Sequence, residues 1–274
     1  MLKTWLSISN LPKSSFYEWV NKLDQINEEE LQLVKIVKEV FEESNKTYGY
    51  RRITIALRKK GIIVNHKRIY RIMKENDLRC TKFTRRGRGY SSFKGEVGKI
   101  AENKLNRQFK VSNPNKVWVT DVTEFKINYG DKKLYLSPIM DLFNGEILSF
   151  NTSTSPTVKF TTDALDEALK RLPENHSLTI HSDQGFHYQH AQWVNMLKKR
   201  KITQSMSRRG NCIDNSPMEN FFGLLKQEMY YGEKFSSIDE LRKKIEQYIY
   251  WYNNIRIKEK LNGLSPIEYR QQAA

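Results

Sequence analysis

Three acidic residues in this chain have the type and placement needed to hold hard divalent cations. Asp121 lies within Val117-Trp118-Val119-Thr120-Asp121-Val122-Thr123-Glu124-Phe125, and Asp183 closes the run Leu178-Thr179-Ile180-His181-Ser182 ahead of Gln184-Gly185. Glu219 falls in a helical stretch, with thirty-five residues between it and Asp183. Two divalent cations about 4 Å apart activate an attacking oxygen and stabilise the leaving one during in-line displacement at phosphorus. Carboxylates suit magnesium, which keeps several waters and completes its octahedron with phosphate oxygens of the substrate. One shared aspartate and two flanking acids suffice, so the three residues point to two-metal phosphoryl transfer on nucleic acid. Each also has a plainer reading. Asp121 in an apolar strand would be structural only with a buried cation as partner. Asp183 before Gln-Gly is also a turn former, and Glu219 is also compatible with an exposed helix surface.

Lys226 stands seven positions after Glu219. At about 100° per residue an α-helix leaves the two only about 20° out of alignment. They share a face, as does Asn215, and they are too far apart for the usual four-residue surface pair. A lysine there would meet the backbone of a DNA end.

To gather these groups the chain needs a sheet flanked by helices, and the pattern provides one. Residues 116–128, 134–143 and 146–152 read as three strands separated by Tyr129-Gly130-Asp131 and Asn144-Gly145, the second a strong hairpin signal. A helix over 158–172, a short strand over 178–181, a helix over 189–200 and a strand over 202–206 follow. Three antiparallel strands feeding alternating helices and short strands describe an α/β fold with a ribonuclease H-like mixed sheet. The aromatic run Tyr248, Tyr250, Trp251 and Tyr252 reads as packing of a C-terminal helix rather than base stacking.

Ahead of that core, Leu33, Val34, Val37, Val40 and Phe41 lie on one face of a helix over 31–43. A second helix over 50–60 is stopped by Gly61, and Asn65 caps a third over 66–76 that turns Ile69, Ile72 and Met73 inward. Pro12 opens an earlier helix carrying Phe16, Trp19 and Val20. A trihelical unit with a basic last helix is similar to a helix-turn-helix DNA reader; a plain bundle with a solvated basic face has the same pattern. Arg51, Arg52, Lys67, Arg68 and Arg71 are its candidate phosphate or groove contacts. Residues 80–108, with Arg85, Arg86 and Arg88 among Gly and Ser, read as a flexible basic linker that follows a DNA backbone. The expected organisation is therefore a helical DNA-binding region over 1–79, that linker, and a catalytic domain with C-terminal helices over 109–274.

Charge supports a polyanionic partner. The chain carries a formal net charge of +16, and residues 51–100 alone hold 16 Lys and Arg against 3 Asp and Glu. Phosphate contacts gain free energy by releasing condensed counterions. No apolar stretch approaches the roughly 20 residues that cross a bilayer, and Met1-Leu2-Lys3-Thr4-Trp5 lacks the apolar core of a secretory signal, so a cytoplasmic location is expected. Cys80 and Cys212 have no paired spacing. His181, His187 and His190 cluster near Asp183 without the cysteines of a structural zinc site.

The motifs Trp118-Val119-Thr120-Asp121-Val122-Thr123, His181-Ser182-Asp183-Gln184-Gly185, and Ser205 to Phe222 with Leu225-Lys226 resemble bacterial insertion-sequence transposases, more narrowly the IS-three family, which shares an Asp-Asp-Glu core with retroviral integrases. Thr47-Tyr48-Gly49-Tyr50-Arg51-Arg52-Ile53, Trp251-Tyr252-Asn253 and Leu264-Ser265-Pro266 extend the resemblance over most of the chain. It implies that Asp121, Asp183 and Glu219 are metal ligands for two Mg2+, with Mn2+ able to substitute, and that Lys226 contacts the element's end. Arg208 and Arg209 would hold DNA near the site. It further implies a homo-oligomer on double-stranded DNA, acting at terminal inverted repeats and target DNA, with a bridged or circular intermediate. The family often has histidine where Lys258 stands, so no role rests on that position. Family enzymes combine two reading frames, and this chain resembles the downstream product, which makes an upstream partner segment an expectation. The rivals are a ribonuclease H-like nuclease or resolvase and a catalytically inactive DNA-binding regulator.

Overall fold

Four helices with narrow apolar stripes come first in the computed structural model, which describes residues 12–24, 28–82, 100–127, 132–209 and 211–273. The chain separates into two compact units, residues 1–79 and 80–274. In the first, α1 (Lys13–Asp24), α2 (Glu28–Glu43), α3 (Tyr50–Lys59) and α4 (His66–Glu75) succeed one another. Leu33, Val37, Val40 and Phe41 of α2, Ile53 and Leu57 of α3, and Ile69, Ile72 and Met73 of α4 are buried together. Asn65 caps α4 as its side chain accepts from Lys67 N at 2.9 Å. Gly61 ends the preceding helix at a φ of 82°, a left-handed conformation that favours glycine.

The second unit is built on a six-stranded mixed sheet: β1 (Val117–Thr120), β2 (Thr123–Lys126), β3 (Lys133–Asp141), β4 (Glu146–Ser153), β5 (Thr179–Ser182) and β6 (Thr203–Met206). β3 runs antiparallel to β1, β2 and β4, whereas β1 pairs parallel with β5, and β5 parallel with β6. The sequence pattern predicts a single strand over 116–128; the structure interrupts it at Asp121-Val122. The register does not slip across the break, because Thr120 stands opposite Ile139 and Thr123 opposite Leu136. The interruption falls where the partner strand presents Pro138, which has no N–H to donate. With β1 and β2 as one interrupted line, the order is β4-β3-β1/β2-β5-β6 with β3 alone reversed, the ribonuclease H-like arrangement.

Helices α5 (Val158–Leu169), α6 (Phe186–Gln189), α7 (Ala191–Lys199), α8 (Ser216–Leu225), α9 (Ile238–Asn254) and α10 (Pro266–Ala273) complete the unit. The two-residue alternation of the strands gives each sheet face its own core. Val119, Phe125, Leu136 and Ile147 pack with Met218, Phe221 and Leu225 of α8 and with Leu241, Ile245 and Ile249 of α9. Trp118, Ile139, Leu148 and Ile180 pack with Leu165 and Leu169 of α5 and with Trp193 and Leu197 of α7. Tyr248 and Tyr252 are buried in the first of these cores, while Tyr250 is exposed. Asn144-Gly145 makes the β3–β4 turn, with Gly145 at a φ of 70° and its N–H donating to Asp141 O at 2.8 Å. Among the described residues no helix is long and apolar enough to cross a membrane. Arg85, Arg86 and Arg88, and the expected turn at Tyr129-Gly130-Asp131, lie outside the described residues.

Candidate active site

Parallel pairing of β1 with β5 decides where the first two carboxylates go. Val119 stands opposite His181, so Asp121 and Asp183 lie at matching positions two residues further along, beyond the carboxyl ends of neighbouring strands. That end of an open α/β sheet is where ligand sites form. Each aspartate folds back onto its own loop: Val122 N donates to Asp121 Oδ1 at 2.7 Å, and Gly185 N donates to Asp183 Oδ1 at 2.9 Å. A Cβ at Gly185 would stand 2.9 Å from Asp183 Oδ1, so any larger residue there would displace the carboxylate from this position. The Gln-Gly that reads as a turn signal is thus also the seat of the carboxylate.

Asp121 is held well above the ordinary carboxyl range, first by burial and then by repulsion from Asp183. Glu219 pushes in the same direction; the Val122 hydrogen bond and the Lys226 ammonium oppose it. Burial also raises Asp183. Glu219 sits in the first turn of α8, whose buried face of Met218, Phe221, Phe222 and Leu225 fixes the helix against the sheet. Its carboxylate acts on Asp121 less strongly than Asp183 does. Among the described residues no three His, Cys, Asp or Glu side chains already stand close enough together to hold a metal ion.

Lys226 follows the last residue of α8 and begins a π-helical turn, Lys226–Tyr230, a feature that frequently marks functional sites. Its ammonium lies 5.2 Å from the centre of the Phe125 ring. Burial lowers the lysine's proton affinity, and Glu124 and Asp121 partly restore it. The cationic neighbour that a structural Asp121 would need is therefore present, on the helix rather than on the strand.

Sequence pattern does not single out Tyr188. Its side chain is buried, its hydroxyl is 3.4 Å from Thr120 Oγ1, and its proton affinity is raised by burial and then by Asp121 and Asp183. Nor does pattern mark Asp214. It is fully buried and accepts from Arg208 Nε, Arg107 Nε and Asn103 Nδ2 at 2.9, 2.8 and 3.0 Å, and the bonds from Arg208 first and then Arg107 hold its carboxyl below the usual range. Arg208 is thereby tied into the loop before α8, with its guanidinium still half exposed. Arg209 is exposed. A buried aspartate shortly before a proline-opened helix has no local signature; its contacts with Arg208, six residues before it, and with the distant Arg107 reveal its task.

The three histidines near Asp183 have other partners. His181 Nδ1 is 2.9 Å from Ser205 Oγ and Nε2 3.0 Å from Ser207 Oγ, and burial lowers its pKa to about 4. His187 Nε2 is 2.8 Å from Pro156 O, and His190 Nδ1 accepts from Gln192 N at 3.2 Å. In the helical unit, Arg68 and Arg71 of α4 are both paired with Glu30 of α2. Arg51 and Arg52 lie over the Tyr50 and Tyr48 rings, and Lys67 is exposed.

Comparison with known proteins follows the same division. Two family models described as integrase core domain match residues 111–212 and 219–273, and one described as HTH-like domain matches 27–87. The chain is 43% identical over 267 residues to a putative transposase, InsK, for insertion sequence element IS150 of Escherichia coli, covering 97% of this chain and 92% of that protein. It is 29% identical over 277 residues to transposase InsF for insertion sequence IS3A of the same organism, covering 99% and 94%. The catalytic core domain of HTLV-2 integrase, solved in complex with magnesium, superposes with a TM-score of 0.45 at 20% identity, over 57% of this chain and 97% of that one.

Proposed function

This chain belongs to the insertion-sequence transposases with an integrase core domain, and we propose that Asp121, Asp183 and Glu219 are its catalytic carboxylates, acting with two magnesium ions. The observation that carries this reading is the placing of Asp121 and Asp183, both half-buried, at matching positions beyond the ends of the parallel strands β1 and β5: two hard-oxygen ligands whose proton affinities are raised by desolvation, with repulsion from Asp183 adding at Asp121. Negative charge confined in this way is what a divalent cation relieves, so the donor set fits magnesium and accepts manganese. Glu219, in the first turn of α8, supplies the third carboxylate. Bound divalent ions would supply activation of the attacking oxygen and stabilisation of the leaving one.

The protein's own groups do the rest. Gly185 and Val122 hold the two aspartates by their backbone N–H groups. Lys226, kept in the site by Phe125 and by its acidic neighbours, receives a phosphate of the DNA end. Arg208 and Arg209 extend that contact. The helical unit, through Arg51, Arg52, Lys67, Arg68 and Arg71, binds double-stranded terminal repeats, and copies of the chain assemble on DNA. The reaction frees a 3′-hydroxyl at the element's end and uses it to attack a second phosphodiester.

Purified Asp121→Asn incubated with end DNA and magnesium is expected to lose cleavage and joining by about 10³-fold or more, a loss on the scale of removing a catalytic electrostatic group. Its DNA affinity should be unchanged. Retained cleavage removes the assignment, and nicked but never joined products from the unaltered protein would make it a nuclease instead.

A further inference from the structure

Asn215 stands at the N-cap of α8, where an asparagine side chain ordinarily accepts a hydrogen bond from a first-turn N–H. It makes no such bond. Its Nδ2 instead donates to the carbonyl oxygen of Thr120 at 3.1 Å. The residue is 3% exposed, and among the described residues its Oδ1 is buried with no hydrogen-bond partner. A buried acceptor left unpaired is destabilising, and such exceptions call for an explanation. Here the explanation is geometric: the donor end of the amide is needed on the strand, so the acceptor end cannot serve the helix.

The two ends of that bond matter. Thr120 is the residue immediately before Asp121, and Asn215 is four positions ahead of Glu219. One amide therefore spans the two elements that carry these carboxylates. Thr120 is fixed from its other side, where Oγ1 donates to Pro138 O at 2.9 Å. We infer that Asn215 is a positioning residue whose amide sets the separation of Asp121 from Glu219. The inference rests on the triad proposed above.

The full chain carrying Asn215→Leu, of similar volume but with no polar side-chain atom, is compared with Asn215→Ala. Folding is followed by circular dichroism without added divalent ion, and manganese binding by electron paramagnetic resonance. Single-turnover cleavage of end DNA with magnesium, and affinity for that DNA, complete the set. Positioning predicts a folded protein with unchanged DNA affinity. Half-saturating manganese should rise about tenfold and cleavage fall about 100-fold, the scale of a 1 Å misplacement. Wild-type manganese binding and cleavage in both variants would overturn it. So would loss of folding in both, which would make the amide a purely structural tie. Asp121→Asn measured in parallel separates the two readings: full activity there removes the triad, whereas an inactive Asp121→Asn beside wild-type-like Asn215 variants removes only the positioning role.

Discussion

Asp121 illustrates how much of a residue's chemistry lies outside its own position. Its acidic type and its place in an apolar run make it a candidate ligand, but the raised proton affinity comes from burial and from Asp183, sixty-two positions away in sequence. A carboxyl whose folded pKa is raised binds more protons in the folded than in the unfolded state at intermediate pH. The folded state is therefore penalised above the raised value, and the penalty disappears below the ordinary carboxyl range. It follows that Asp121→Asn should stabilise the fold at neutral pH, by about 0.5–2 kcal/mol, the common yield of a single stabilising substitution. Denaturant melts at neutral pH and near pH 3 check this: the gain should be present in the first and vanish in the second. An equal gain at both would show that repulsion and burial of the ionised pair are not its source.

Among the elements, the C-terminal segment shows what charged residues late in the chain do. Glu228, in the π-helical turn that follows Lys226, is buried against Arg256 at 2.6 and 2.9 Å, and it accepts from the Tyr248 hydroxyl at 2.7 Å. Removing one member of such a buried pair leaves an uncompensated charge, so Arg256→Met should cost about 3–5 kcal/mol in chemical denaturation. Glu228→Gln added to it should recover much of that loss, and purely additive losses would argue against direct pairing. Beside this pair, Lys258 Nζ is 2.6 Å from the Tyr252 hydroxyl and 3.3 Å from Gly145 O. A Cβ at Gly145 would stand 2.7 Å from that ammonium and displace it, although the φ of 70° is what calls for glycine in this turn. Burial lowers the Lys258 pKa to about 7, with Arg256 adding to the effect and Glu228 opposing it. Because the unfolded chain binds the proton more tightly, stability attributable to this residue rises with pH between about 7 and the free-lysine value near 10.4. Relative to Lys258→Met, the unaltered protein should gain stability from about pH 6 to about pH 9, and a parallel pH dependence in the two would remove the argument.

For the whole molecule, charge is arranged by sequence segment more than by fold. Residues 51–100 carry most of the excess cations. Replacing Arg85, Arg86 and Arg88 by alanine should flatten the dependence of log affinity on log salt by about 0.9 for each phosphate no longer neutralised, measured by fluorescence anisotropy on end DNA. An unchanged slope would return those arginines to the solvated surface. Much else is legible in the sequence alone. Apolar alternation foretells the strands, Asn144-Gly145 the hairpin, Asn65 the cap of α4, and the contexts of Asp121, Asp183 and Glu219 the candidate chemistry, because each depends on backbone preference and side-chain type within a few residues. Other features depend on which distant segments meet. The break opposite Pro138, the electrostatic coupling of Asp121 with Lys226, the use of Arg107 by Asp214 and of Arg68 and Arg71 by Glu30, and the turning of Asn215 from its own helix toward Thr120 all belong to this second class. Local pattern specifies what a residue can do; burial and the distance to a partner, which fix proton affinity and hydrogen-bond choice, arise only when the strands and helices pack.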